Sequence, residues 1–300
     1  MRIIVTGSNG RLGRHVSARL DEAGYEVIGV GRTFPTGKST QLQFRKLDLN
    51  IPGNAQIALR GADAVVHLAA IPAPGRHQNG TVFSNNTIVT YNVLEAAYTL
   101  GITKIVIASS IAALGYAYAV LYPSRAIPLQ YFPIDEEHPL SPIDAYGLSK
   151  YVDELTCASF ALRANMTIAA LRFPWITLPE DYLNTVRDAD SCNRMQNIFW
   201  SYIDIRDAVQ AIEKALYADI NGFRAMYVSA RNTLCTRSSI DLANTFFPNI
   251  KDLRFEVEEC QSFFSITCAE RLISFVPNHT WQQTLSHASC WSESQEMSYV

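Results

Sequence analysis

The sequence predicts an α/β fold, a doubly wound parallel sheet of the Rossmann kind with a small C-terminal substrate lobe. Three observations carry this. Short β-branched runs with few charges alternate with helix-like stretches through the first half of the chain. Two of these runs, Ala64-Val65-Val66-His67-Leu68 and Lys104-Ile105-Val106-Ile107-Ala108, are nearly continuous in apolar residues, the pattern of strands buried on both faces. A glycine-rich turn joins the first run to the first helix.

The elements follow in order. Strands are expected over 2–6, 26–30, 64–68, 104–109 and 167–171, with a third strand in chain order ending at Asp48-Leu49. Helices are expected over 12–23, 82–100 and 144–164. The stretch 115–142 holds Pro123, Pro128, Pro133, Pro139 and Pro142 and is rich in tyrosine, which suits a long functional loop better than a helix or a central strand. Beyond Phe173 the alternation loosens. The expected division is therefore a dinucleotide-binding domain over 1–173, a small substrate lobe over 174–281, and a polar tail over 282–300. A helix near 205–218 is expected to pack back on the first domain.

Composition bounds the rest. Three hundred residues suit one large domain or a domain with a lobe. Hydrophobic residues at 48% against charged ones at 18% exclude a disordered chain. A net charge of −3 leaves no basic surplus for nucleic acid or an anionic membrane as main partner. No apolar run reaches the roughly 18 residues of a membrane span. The first seven residues are too short for a signal-peptide core, so a cytoplasmic location is expected. Six cysteines (157, 192, 235, 260, 268, 290) form no C-x-x-C pair, and the histidines show no metal-ligand grouping. Reduced, packing cysteines and no metal are expected.

Thr6-Gly7-Ser8-Asn9-Gly10-Arg11-Leu12-Gly13 follows the first strand and opens the first helix. Gly7 allows the tight turn, Gly10 lets the backbone approach a pyrophosphate, and Gly13 lets helix and strand pack closely. The helix start supplies free N–H groups and the positive end of its dipole. At the end of the second strand, an acidic residue would accept hydrogen bonds from the ribose hydroxyls of NAD. This chain has Gly31 and then Arg32, and a guanidinium clamps a 2′-phosphate where a carboxylate repels it. NADP is therefore preferred over NAD. Asp48-Leu49 can meet the adenine amino group, and the small residues of Leu68-Ala69-Ala70 let the cofactor cross the sheet edge. His67 reads as a strand histidine packed in the fold.

Tyr146-Gly147-Leu148-Ser149-Lys150 is Y-x-x-x-K, and on a helix residues i and i+4 share a face. A neighbouring ammonium stabilises phenolate, so Lys150 is expected to pull the Tyr146 pKa toward working pH and make it a proton shuttle. Ser109-Ser110 ends a buried strand, where a hydroxyl can bond the same substrate oxygen.

With these motifs in place the chain resembles the extended short-chain dehydrogenase/reductases, also called the NAD(P)-dependent epimerase/dehydratase family. The resemblance spans roughly residues 1–281. Its further landmarks are Asn92-Val93-Leu94-Glu95-Ala96-Ala97, Pro133-Ile134-Asp135-Glu136, Leu171-Arg172-Phe173, Tyr202-Ile203-Asp204-Ile205-Arg206-Asp207, Ala269-Glu270-Arg271-Leu272 and Pro277-Asn278-His279-Thr280-Trp281. It implies Tyr146 as general acid/base, Lys150 as its partner and ribose ligand, and Ser110 as the substrate-orienting hydroxyl. It also implies Asn85 or Asn86 near the cofactor and Pro174 at the nicotinamide carboxamide. Members often pair the helices at 82–100 and 144–164 into a homodimer, for which Tyr91, Tyr98, Tyr151 and Phe160 are available.

Four departures stand out. Gly31 replaces the ribose-binding aspartate, Leu114 replaces a tyrosine before Gly115, and Trp175 replaces a substrate-contacting asparagine. Only 33 residues separate Arg172 from Arg206, short for a nucleoside-diphosphate lobe, although Arg187 and Arg194 can still bind an anion. The expected activity is hydride transfer between nicotinamide and a small alcohol, carbonyl or sugar-like substrate. Alternatives are an epimerase acting on a sugar or sugar nucleotide, and a non-catalytic dinucleotide sensor. The apolar Ile111-Ala112-Ala113 after Ser110 disfavours a dehydratase.

Overall fold

The computed structural model describes residues 1–35, 42–75, 77–122, 128–190, 195–255 and 260–286, with the side chains of 187–190 excepted. Arg194, Cys192, Cys290, the Arg187 side chain and the tail from 287 onward lie outside the described residues.

The first half runs β1 (Arg2–Thr6), α1 (Arg11–Glu22), β2 (Glu26–Gly31), β3 (Gln43–Lys46), α2 (Pro52–Leu59), β4 (Ala64–His67), α3 (Asn79–Thr99) and β5 (Lys104–Ser110). The second half runs β6 (Tyr131–Phe132), α4 (Ala145–Ala164), β7 (Thr167–Phe173), β8 (Trp175–Thr177), α5 (Tyr182–Asp190), β9 (Tyr202–Asp204), α6 (Ile205–Tyr217), β10 (Phe223–Tyr227), α7 (Ser239–Phe246), β11 (Asp252–Leu253) and α8 (Thr267–Ile273).

Seven strands form one sheet in the order β10-β7-β5-β4-β1-β2-β3. Every pairing in it is parallel, with Ile4 opposite Ile28 on one side and Val65 on the other. This is the doubly wound α/β fold the alternation predicts. Strand periodicity sends Ile3 and Val5 into a core with Val16, Leu20, Ile212 and Ile273, and Ile4 into a second core with Val89, Val93 and Phe160. Order reverses between β1 and β4, so the crevice at the carboxyl ends of these strands is where this architecture receives a ligand.

Three features differ from the sequence reading. The third strand ends at Lys46, not at Asp48-Leu49, because Asp48 turns the chain: its Oδ1 accepts from the Asn50 amide at 3.0 Å. α2 follows at once, started by Pro52 in its first turn. β10 adds a seventh strand beside β7, pairing Phe223 with Ile168. It is a short edge strand in which only the last two residues, Met226 and Tyr227, are buried, too brief to show a period.

The segment after Phe173 thus serves two cores. β10 extends the sheet, α6 and α8 cover it, and an Arg19–Glu213 ion pair at 3.0 Å joins α1 to α6. Described residues of the remainder build a third core with residues of 111–122 and 128–134, dominated by Phe132, Phe199, Trp200, Phe247 and Phe263. Edge-to-face contacts such as Phe132–Phe263 at 4.9 Å lock it. Among the described residues no helix is long and apolar enough to cross a membrane.

Candidate active site

The glycine loop is built by close approach. Gly7 donates to the Val30 carbonyl at 2.8 Å and has φ +68. A Cβ on it would sit 2.8 Å from the Ala69 nitrogen. A Cβ on Gly13 would overlap the Gly7 carbonyl, so the helix start rests directly on the turn. The residues present therefore make a cradle that only glycines leave open, which fits a pyrophosphate at the start of α1.

Gly7, Gly10, Gly31, Arg32, Asp48, Leu49, Leu68, Ala69, Ala70 and Asn85 line one cleft over the carboxyl ends of β1, β2 and β4. Asn9 lies at its edge and donates to the Thr33 carbonyl, bracing the loop against the end of β2. Arg11 points the other way, to an ion pair with Asp181. The Leu12 side chain packs on the sheet core. Asp48 is held below the usual carboxylate range by hydrogen bonds from Asn50, with a contribution from the Arg32 charge.

Asn85 and Asn86 separate. Asn85 lines the cleft, while Asn86 is buried and spends its amide on the Ile71 backbone and on Ser149 Oγ at 3.0 Å. Ser109 and Ser110 separate as well. The Ser109 hydroxyl donates to Glu154 Oε1 at 2.6 Å, and Glu154 grips Arg172 through Nε at 2.9 Å and Nη2 at 2.8 Å. Ser110 lies near enough to Tyr146 to lower its pKa, while its Oγ accepts from the Ala112 amide at 3.1 Å. Pro174 is buried between β7 and β8, and Trp175 beside it is 47% exposed.

Tyr146 and Lys150 lie in the first turns of α4, both buried. Asp144 caps that helix, accepting from the amides of Tyr146 at 3.0 Å and Gly147 at 2.9 Å. Gly147 lies so close to the Ala112 carbonyl that a Cβ would overlap it, which brings the Tyr146 turn against the segment after Ser110. The Tyr146 ring sits among Ile71, Val82, Ala112 and Ala117, and meets Tyr118 edge-on at 6.0 Å.

Burial raises the Tyr146 pKa above its ordinary 10; Lys150 and Ser110 pull it down, and Asp153 and Asp144 push it up. The net shift is upward. Lys150 acts in the expected direction, and desolvation of the phenolate acts against it. The sequence reading also passed over Asp153, although its spacing of three from Lys150 was a visible signal.

The comparisons agree with this geometry. A model of the NAD dependent epimerase/dehydratase family matches residues 3–194. The chain belongs to that family. Among curated relatives, GDP-mannose 3,5-epimerase 1 of Oryza sativa subsp. japonica is 29% identical over 168 residues, 53% of this chain and 42% of that protein. The chain thus spans under half the length of that relative. L-arabinose 1-dehydrogenase (NAD(P)(+)) of Haloferax volcanii is 26% identical over 224 residues, 73% of this chain and 84% of that protein. Among solved structures, a short-chain dehydrogenase/reductase superfamily protein from Agrobacterium tumefaciens with bound NAD has TM-score 0.73 at 20% identity, covering 98% of both chains. That likeness is one of fold.

Proposed function

We propose that this chain is an NAD(P)-dependent oxidoreductase that transfers hydride between nicotinamide and a small alcohol, carbonyl or sugar-like substrate. The observation that carries the reading is convergence. Ser110 ends β5 near Tyr146, Lys150 reaches the Ala108 carbonyl of the same strand, and this is the carboxyl edge of the sheet on which the glycine loop and Leu68-Ala69-Ala70 form the cleft.

In this reading Gly7, Gly10 and Gly13 with the start of α1 hold the pyrophosphate, and Asp48, Leu49 and Asn85 border the adenosine half. Lys150 holds the nicotinamide ribose and Pro174 borders the carboxamide. The cofactor supplies or accepts the hydride. Ser110 orients the substrate oxygen, and Tyr146 gives that oxygen a proton or takes one from it. Trp175 offers an apolar wall, and the short lobe suits a substrate without a nucleoside diphosphate.

NADP is the preferred cofactor. Gly31 has room for a side chain, since a Cβ there would meet Phe44 at 3.4 Å and Asn9 at 3.7 Å, ordinary contact distances. The missing carboxylate therefore has no steric cause, and Arg32 is the cation lining the cleft. The division at residue 173 and a cytoplasmic location are part of the same reading. So is a homodimer through α3 and α4, whose outer faces expose Ile88, Tyr91, Tyr98, Leu155 and Leu162. Phe160, expected on that face, is buried against Tyr91 instead.

The test is titration with NADPH and NADH separately, followed by nicotinamide fluorescence, and then turnover of an aldehyde and ketone panel. Tight NADPH binding with carbonyl reduction is expected. Binding of neither nucleotide would overturn the reading. Inversion of a substrate carbon without release of reduced cofactor would make the chain an epimerase.

A further inference from the structure

Ser110 ends β5, and the strand register sets it opposite Phe173 of β7. Pro174 and Trp175 therefore continue past the level of Ser110 on the neighbouring strand. The Trp175 indole is half exposed, although it is among the largest apolar groups a chain can bury. Among the described residues no ring packs on it and no acceptor takes its N–H.

A second wall comes from the segment after β5. Ile111–Leu114 is buried and apolar throughout, with no polar side chain. Gly115 then turns the chain at φ +102, close against the Ser141 carbonyl. The segment it releases returns to Tyr146: Ala117 packs on it, and the Tyr118 ring meets it edge-on at 6.0 Å. Asn197 donates to the Ala117 carbonyl and Ile198 joins the same cluster, so the lobe braces this wall. Val120 and Leu121 follow, both exposed.

The charges with most effect on Tyr146 are Lys150, Asp153 and Asp144, all on α4 or its cap. Lys150 is held by the Ala108 carbonyl at 3.1 Å and by Asp153 at 3.2 Å. Burial pushes the Tyr118 phenol up to about 12, with Tyr146 and Asp144 adding to the shift, and no cation among the described residues draws it back. Arg11 is spent on Asp181, Arg206 on Asp204 and Arg172 on Glu154. A phosphorylated or carboxylated substrate needs a cation where its anion comes to rest. A polyol needs a partner for each hydroxyl it buries. The described walls are built of neither kind of group.

We propose that the substrate carbonyl carries an uncharged aromatic or branched apolar body, lodged against Trp175 and the Tyr118 ring, and that these two residues determine specificity. This rests on the oxidoreductase reading and names the substrate class for it. In the reducing direction the carbonyl carbon takes hydride from reduced nicotinamide and its oxygen takes the Tyr146 proton. One C=O π bond gives way to one C–H and one O–H bond, and the nicotinamide is left oxidised. Removing the indole and the exposed Val120 and Leu121 from water favours binding of such a body, whereas a hydroxyl-rich one leaves its groups unpaired.

The test uses three ketones: 4-phenylbutan-2-one, which is aromatic and uncharged, erythrulose, which is hydroxylated, and levulinate, which is anionic. Each is titrated by calorimetry into Tyr146→Phe loaded with nicotinamide nucleotide, which holds a ketone without turning it over, and each is assayed for turnover with the wild-type chain. The phenyl ketone is expected to bind at least about 10-fold tighter than the other two. Trp175→Ala is expected to weaken it about 10-fold and to change the other two less than about 2-fold, while Trp175→Phe keeps most of the affinity. Tyr118→Ala and Tyr118→Phe are expected to divide in the same way. A half-exposed indole without partners leaves the melting temperature of the Trp175 variants near that of the wild type.

Tighter binding of erythrulose or levulinate overturns the proposal, as does an unchanged affinity for the phenyl ketone in Trp175→Ala or an equal loss for all three ketones. Nucleotide binding with no ketone bound overturns it too, and leaves the cofactor reading standing. Binding of neither nucleotide defeats the oxidoreductase reading. The ketones are then titrated into the chain alone, where the same order and the same Trp175→Ala loss uphold the apolar site and any other order overturns it.

Discussion

Asn86 holds both main-chain groups of Ile71: its Oδ1 accepts from the amide at 2.8 Å and its Nδ2 donates to the carbonyl at 3.1 Å. Through Ser149 the same amide reaches α4. One buried side chain thus ties the segment leaving β4 to the helix that carries Tyr146 and Lys150. Asn86→Leu leaves those partners buried and unpaired and is expected to lose about 2–4 kcal/mol of stability, read by urea unfolding. Asn85→Ala, at a half-buried position, is expected to lose less than about 1 kcal/mol. Equal losses at the two positions would contradict the latch.

The glycine cradle makes a steric prediction. Gly7→Ala and Gly13→Ala each drive a Cβ into backbone atoms. Each is expected to weaken nicotinamide nucleotide binding more than about 10-fold, since the loop must open by several tenths of an ångström to relieve the contact. Gly53→Ala, in α2 with nothing within 4 Å, is the control and is expected to be neutral or stabilising by up to about 1 kcal/mol. Fluorescence titration of the three variants decides it.

Ser109 and Ser110 are expected to part in function as they do in geometry. Ser109→Ala removes a charge-assisted bond to buried Glu154 and should lower stability by about 1.5–3 kcal/mol. Ser110→Ala should leave the melting temperature nearly unchanged and lower turnover of any carbonyl that the chain reduces. Tyr146→Phe should lower turnover by about 100-fold or more with nucleotide binding intact. A stability loss at Ser110 larger than at Ser109 would reverse the assignment.

His67 sets an acid limit. Burial, with the Lys150 charge added, pulls it from its ordinary 6.5 down to about 3. The folded chain therefore binds this proton less readily than the unfolded chain does. The stabilisation is complete above pH 6.5 and is lost as the pH falls from there toward 3. Urea midpoints measured across that window should decline steadily, and His67→Gln, which cannot titrate, should flatten the decline.

Arg32 carries the cofactor preference. Arg32→Ala is expected to weaken NADPH binding about 10-fold or more and to leave NADH within about 2-fold, because only the 2′-phosphate needs the guanidinium. Equal losses for both nucleotides would assign Arg32 to the shared part of the cofactor.

What the sequence determined by itself is what neighbours along the chain encode. Five strands, three helices and the α6 segment are legible because burial on one or two faces imposes a short period. The loop from Thr6 to Gly13 is legible because turn, phosphate cradle and helix start are consecutive. Tyr146 and Lys150 are legible because one helical turn brings them together. The tertiary structure alone decided which member of each adjacent pair does what. Ser109 is taken by Glu154 and Ser110 is not; Asn86 is taken by Ile71 and Asn85 is not. It also placed β10 at the sheet edge and closed the third strand at Lys46. Above all it set the sign of the shift on Tyr146. The helix spacing supplies Lys150, but exclusion of water and the opposing charge of Asp153 depend on β4, β5 and α3 closing over the site. Desolvation and pairing are properties of the packed surroundings, and no local pattern of residues contains them.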